Sequence, residues 1–243
     1  MNGAGVDDVL DADNAGPGRR KLVLTACGPA MSPLLQWSLP THLAFAHAHG
    51  YDLAVHRLPD DNDRCTPAVR AAKWAKIELL RTSLDRHDAV LWLDVDTVVL
   101  RTDRDPLDDL SPTDYQGLAL ERFNDRCNPN TGVWLVRRDP RSVTFLDAVL
   151  DRGELPHSWA DQATVCSMLG WDLGDFHGRG ARPTRATVHR HGTRWLAAEW
   201  NAVGPHPPPG TRIAHLAGMP IEERARRMAA LRRWAVTDRV ADP

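Results

Sequence analysis

Asp94 and Asp96 interrupt an otherwise apolar run, VLWLDVDTVVL, at residues 90–100. On an extended strand, residues two apart face the same side. Ionised carboxylates in apolar surroundings require a cation, a hydrogen-bond network or water. Two converging carboxylates suit Mg2+ or Mn2+, hard cations that take oxygen ligands and often share them with substrate phosphates. A helix cap or a loop salt bridge is the plainer use of the same acids. Other residue types capable of chemistry follow later in the chain: Asn130 and Gly132 in NPNTG, Asp161 and Gln162 in WADQAT, and His215 in IAHLAG. Each has a structural reading too: a hairpin turn for NPNTG, a helix start favoured by the dipole for Asp161, and a core histidine for His215.

The elements that must position these residues alternate. KLVLTAC (21–27) is a β-rich apolar run stopped by Gly28 and Pro29, and YDLAVHRL is a second such strand. Between them, LLQWSLPTHLAFAHAHG has helical spacing and ends at Gly50, with Pro40 expected to start or kink the helix. After a polar loop, PDDNDRCTP, the segment AVRAAKWAKIELLRTSLDRH carries a helical stripe through Ala68, Ala71, Ala72, Ala75, Leu79, Leu80 and Leu84. It leads into VLWLDVDTVVL, expected as a third strand. This βαβ alternation predicts an α/β fold with a mostly parallel sheet flanked by helices, in which ligands gather at the carboxyl ends of the strands. Asp94 and Asp96 follow AVLWL, near such an end. Further on, QGLALERF and TGVWLVRR are expected as strands joined by NDRCNPN. PRSVTFLDAVLDRG, SWADQATVCSMLG and IEERARRMAALRRWAV are expected as helices.

Composition narrows the function classes. The 243 residues are 42% hydrophobic and 26% charged with a net charge of −2, which fits one globular domain and gives no sign of a nucleic-acid partner. No apolar run reaches the ~20 residues of a membrane span. The polar stretch 1–20 reads as a flexible leader without a signal peptide, leaving 21–243 as the domain and the cytoplasm as the expected compartment. Cys27, Cys65, Cys127 and Cys166 are scattered, which argues for reduced thiols rather than a zinc module or a disulfide scaffold. Lysine occurs only at Lys21, Lys73 and Lys76 among 30 basic residues; arginine in its place, with abundant Ala and Pro, sets the expectation of a GC-rich genome and a bacterial source.

Two families share the acidic pattern. DVDTV is similar to the strand end of haloacid-dehalogenase-type phosphatases, in which Asp94 would be the nucleophile. Those enzymes use a later cation, usually lysine, and here no lysine follows Lys76. WAKIELLRTSLDRHDAVLWLDVDTVVL instead resembles the core of a retaining GT-A (Rossmann-like) glycosyltransferase family. That family includes fungal Golgi mannosyl- and galactosyltransferases and plant xyloglucan xylosyltransferases; glycogenin and the lipopolysaccharide galactosyltransferases are more distant. NPNTGVWLVRRDPRSVTFLDAV resembles its N-x-G strand and following helix, WADQAT its D-Q helix start, and HLAG its late H-x-x-G.

The resemblance implies a metal-dependent transfer of a hexose or pentose from a nucleotide-diphosphate sugar, such as a UDP- or GDP-sugar, to an acceptor hydroxyl with retention. It implies Asp96 and His215 as ligands of Mn2+ or Mg2+, Asp94 sharing the metal or a ribose of the nucleotide donor, and Lys76 reaching the donor phosphates or sugar; a solvent-facing helix lysine is the other reading of Lys76. Asn130 and Gly132 would line the donor-sugar pocket, Asp161 and Gln162 would lie beside the anomeric carbon, and Thr25, Ala26 and Cys27 would border the base. The acceptor, whether glycan, lipid, peptide or small natural product, is not specified. One departure stands out: glycogenin-like enzymes carry a basic residue in a K-P-W element after the late histidine. Here MPIEERARR brings Glu222 and Glu223 first and Arg224 as the earliest cation. Trp195 and Trp200 are acceptor-stacking candidates, with core packing the commoner use of tryptophan. A nucleotide-sugar-binding domain without catalysis is the remaining alternative.

Overall fold

The computed structural model describes residues 9–10, 20–58, 67–123 and 126–237. The loop expected at 59–66, with Cys65, lies outside them. Within the segment expected to be a leader, Val9–Leu10 form a short strand, β1, antiparallel to Leu53 and Ala54; the rest, up to residue 19, is also outside the described residues.

The first half of the chain follows the expected alternation. β2 (Lys21–Cys27) leads through a 3-10 turn into α1 (Leu35–His49), then β3 (Tyr51–Arg57), α2 (Pro67–Ser83) and β4 (Ala89–Leu93). α1 ends where Gly50 adopts a left-handed conformation, φ 66°, which glycine enters without strain. Pro40 neither starts this helix nor ends it; the helix begins at Leu35 and runs through it. The carbonyl of Gln36, which a proline N cannot serve, accepts instead from Arg232 at 3.1 Å.

All five residues of β4 are buried, as expected for a central strand covered on both faces. Its parity divides the core. Leu24, Val90 and Trp92 pack with α2 and with Phe145, Leu146 and Val149, whereas Val23, Leu91 and Leu93 pack with α1 and its neighbours. Truncating a leucine enclosed like Leu91 costs about 2–5 kcal/mol.

The opening apolar run is not one strand. It breaks after Leu93, turns through Asp94–Asp96, and resumes as β5 (Thr97–Val99) in a different sheet. The turn closes where Thr97 N donates to Asp94 O at 3.0 Å and Thr97 Oγ1 donates to the same carbonyl at 2.8 Å. The two aspartates are therefore brought together by a turn, not by strand parity.

β6 (Gln116–Phe123) and β7 (Arg126–Arg137) form a long antiparallel hairpin, so part of the expected connecting loop is itself strand. Their register shifts between Leu118, opposite Trp134, and Ala119, opposite Asn130. Residues 131–133 bulge out of this pairing, as extra residues in one strand do. α3 (Pro140–Arg152) follows, capped by the Asp139 carboxylate on Arg141 N at 2.8 Å and burying Ser142, Phe145, Leu146 and Val149, a spacing of three and four.

α4 (Asp161–Met168) is shorter than its apolar pattern suggested, beginning only at Asp161. After it come β8 (Trp171–Asp172) and β9 (Arg182–Pro183), paired with each other, then β10 (Thr193–Leu196), β11 (Ala202–Val203), β12 (Ile213–His215) and α5 (Ile221–Thr237).

The main sheet has the order β1-β3-β2-β4-β7-β6-β10. β3, β2, β4, β6 and β10 run one way, with β7 and β1 against them. It is a mixed α/β architecture with a mostly parallel central sheet flanked by helices. A second sheet, β11-β12-β5, takes up the chain after the end of β4. No helix among the described residues is long and apolar enough to cross a membrane.

Candidate functional site

The second sheet delivers His215. β12 pairs antiparallel with β5 so that His215 stands opposite Thr97, and Leu216 N donates to Asp96 O at 3.0 Å. A slip of one residue would turn the imidazole to the other face. In this register, His215 Nε2 lies 3.4 Å from Asp96 Oδ1 and 3.7 Å from Asp94 Oδ2. One ligand atom from each of Asp94, Asp96 and His215 falls within 4.8 Å of the others. Neighbouring ligands of an octahedral ion with bonds of about 2.1 Å stand roughly 3 Å apart, so this triangle has the dimensions of a cation site, and its oxygen-rich donor set suits Mn2+ or Mg2+.

The imidazole is held from behind. Its Nδ1 donates to Asn201 Oδ1 at 3.0 Å, which leaves Nε2 facing the acids. Asn201 Nδ2 donates to Asn130 Oδ1 at 2.9 Å, the same oxygen accepts from Gly132 N at 2.9 Å, and Asn130 Nδ2 donates to Glu121 Oε2 at 2.9 Å. Asn130 thus anchors the frame behind the ring. Gly132 lies in the β7 bulge, not in a hairpin turn. A Cβ there would sit 2.1 Å from His215 Cε1, so the close approach that glycine permits is the approach of the imidazole.

Lys76 does not face solvent. It is buried, with Nζ 3.0 Å from Asp94 Oδ1, 3.5 Å from Asp161 Oδ2 and 5.3 Å from the centre of the Trp92 ring. It also donates to Thr131 O at 3.2 Å and Thr131 Oγ1 at 3.3 Å. Burial alone would discharge this amine, but Asp161 and Asp94 reverse that and raise its pKa. Trp92 Nε1 donates to Asp94 Oδ1 at 2.6 Å, so the strand that ends at Asp94 also fixes its carboxylate.

Burial likewise opposes charge on Asp96 and His215, and their mutual attraction wins. Asp96 is held down at about 2 by His215 and Arg224 despite its burial. His215 is raised chiefly by Asp96, with help from Asp94.

Asp161 is buried at the start of α4, and Gln162, half-buried beside it, accepts from Thr131 N at 3.2 Å through Oε1. The residue before them, Ala160, has φ 51° and ψ −120°, a left-handed conformation that costs an alanine of order 1–3 kcal/mol. Thr25, Ala26 and Cys27 lie at the carboxyl end of β2, beyond its pairing with β4. Thr25 and Cys27 are buried, Ala26 is half-buried, and Thr25 Oγ1 has no hydrogen-bond partner among the described residues.

Four contributors to the site carried no functional assignment from sequence: Trp92, Thr131, Asn201 and Arg224. Trp92 stands two residues before Asp94, Thr131 lies between Asn130 and Gly132, and Arg224 is the first cation after His215, whereas Asn201 had no such signal. Arg224 Nη1 lies 2.9 Å from Asp96 Oδ2. Glu223, one of the acids that stood in the expected place of a cation, pairs with Arg226 and Arg227 instead. Trp200 is fully buried, with Nε1 donating to Asp109 Oδ2 at 2.7 Å, and is core rather than an acceptor platform. Trp195 is half-buried, edge-on to Trp171 at 5.1 Å.

No protein-family model matches the sequence, and no curated protein is similar to it at a significant level. Solved structures are similar. One is a glycosyltransferase involved in glycosylation of the major capsid of PBCV-1, at 15% identity over 87% of this chain and 99% of that chain, with a TM-score of 0.62. The galactosyltransferase LgtC matches at 14% identity over 87% and 95%, TM-score 0.50. The glycosyltransferase GlyE of Streptococcus pneumoniae matches at 14% over 93% of this chain and 65% of that one, TM-score 0.53. At these identities the likeness is one of fold, and the fold is of the GT-A type.

Proposed function

We propose that this protein is a divalent-metal-dependent glycosyltransferase, moving a hexose or pentose from a nucleotide-diphosphate sugar such as a UDP- or GDP-sugar to an acceptor hydroxyl, with retention of configuration. The observation that carries this reading is the convergence of Asp94, Asp96 and His215, from opposite halves of the chain, within 4.8 Å on a GT-A-type fold. These three side chains would hold Mn2+ or Mg2+. When bound, the ion supplies Lewis-acid stabilisation of the charge that grows on the departing diphosphate.

The protein's own groups do the rest. Lys76, charged and buried, presents a fixed ammonium beside the acids. Asp161 is engaged by Lys76 and Thr131, so it is not a free nucleophile. Retention then follows a front-face course: the bond from the anomeric carbon to the phosphate oxygen breaks, the bond to the acceptor oxygen forms on the same face, and the acceptor proton passes to the departing phosphate. Gln162 Oε1, oriented by Thr131 N–H, offers its second lone pair to the positive charge developing on the sugar. Thr25, Ala26 and Cys27 border the base in this reading.

Neither the phosphatase nor the non-catalytic alternative draws support from the structural likenesses. Calorimetric screening of UDP- and GDP-sugars with and without Mn2+ identifies the donor. With that donor, Asp96→Ala is expected to lower transfer and donor hydrolysis by about 100-fold or more and to abolish Mn2+ binding. Full activity of this variant in Mn2+ would sink the metal assignment.

A further inference from the structure

Arg224 presents a problem that the proposed reaction does not use. Its side chain, only 12% exposed, reaches from the first turn of α5 to Asp96 Oδ2, while Nη2 donates to Met219 O at 2.7 Å and Nη1 lies 3.7 Å from Met31 Sδ. Its Nε is buried and finds no partner among the described residues. A guanidinium is a fixed fork of donors matched to carboxylate or phosphate oxygens, and here one of its inward donors has nothing to bind. Asp96 meanwhile has one oxygen on His215 and the other on Arg224. A cation entering this cluster therefore finds half of Asp96 taken.

The charges sharpen the point. Three carboxylates (Asp94, Asp96, Asp161) face two fixed cations, Lys76 and Arg224, which leaves one negative charge when His215 is neutral. A divalent ion turns this into one positive charge in a buried setting, where an unmatched charge is costly. An anion of the diphosphate type removes that excess.

We propose that Arg224 is a positioning residue that makes cation binding conditional on the diphosphate: it occupies Asp96 in the free protein, opposes a bare metal ion, and favours the ion that arrives with a pyrophosphate group. This rests on Asp94, Asp96 and His215 being the cation ligands.

The test uses Mn2+ alone, read by paramagnetic resonance, and Mg2+ with inorganic pyrophosphate, read by calorimetry. Relative to wild type, R224M is expected to bind bare Mn2+ about tenfold tighter and to lose about tenfold of the mutual enhancement between Mg2+ and pyrophosphate. R224K, which retains the charge, is expected to stay close to wild type in both. A chelator-treated melt of each variant reports folding separately. The proposal fails if R224M binds bare Mn2+ no more tightly than wild type, or if R224K behaves as R224M does. A wild-type protein that binds no divalent cation, with or without pyrophosphate, overturns the underlying cluster reading instead.

Discussion

Gly132 sits where the imidazole of His215 needs room, and the distance makes the point quantitative. A Cβ 2.1 Å from Cε1 cannot coexist with the ring as placed, and the neighbour is the end of a histidine already fastened by Asn201. Gly132→Ala is therefore expected to cost about 1–3 kcal/mol of stability through overpacking. More tellingly, it should weaken Mn2+ binding by about 10–100-fold, the range seen when a ligand loses its orienting support. Calorimetry on the folded variant checks this; unchanged Mn2+ affinity would remove His215 from the ligand set. At this scale the sequence was informative: Asp94, Asp96, Lys76 and His215 all meet. Arg224 went unassigned because its partner is remote along the chain, and no local spacing encodes a pair formed by the docking of α5.

Among the elements, two departures from the expected pattern build the site. The run VLWLDVDTVVL is apolar on both sides of its acids, and burial on both faces reads the same for one strand as for two. Only pairing with β12 shows that β5 belongs to another sheet. The bulge that brings Thr131 and Gly132 to the cluster is a matter of register between β6 and β7, and register depends on partners that local periodicity does not name. The helices were more legible, since apolar spacing and Gly50 are local signals. The start of α4 was the exception, because Ala160 holds a conformation unlike that of ordinary alanine. Ala160→Gly is expected to raise stability by about 1 kcal/mol by relieving it. Urea unfolding measures this, and a loss of stability on substitution would show that the conformation carries no strain.

For the whole molecule, His42 ties α1 to the acidic turn. Its Nε2 donates to Thr97 Oγ1 at 2.9 Å, and that hydroxyl in turn donates to Asp94 O. His42 is fully buried with Nδ1 unpartnered among the described residues, and burial lowers its pKa to about 4, against a smaller opposing effect of the Thr97 bond. The unfolded chain, with a histidine near 6.5, binds a proton in the window where the folded one does not. Stability from this residue is complete above about pH 6.5 and is lost as pH falls to about 4, a change of about 3 kcal/mol. His42→Gln keeps a donor near the position of Nε2 and does not titrate, so the stability gap between wild type and variant should shift by about that amount across the window. A gap that stays constant in urea melts from pH 7.5 to 4.5 would contradict it.

The pairing of β12 with β5 also joins remote parts of the chain. The acids come from the first half of the chain and the imidazole from its last segment, so the triangle exists only once β12 has zipped against β5. Without β12, both carboxylates would face each other with no imidazole between them. Neither the stretch that carries the acids nor the one that carries the imidazole holds the triangle alone; it belongs to the folded chain.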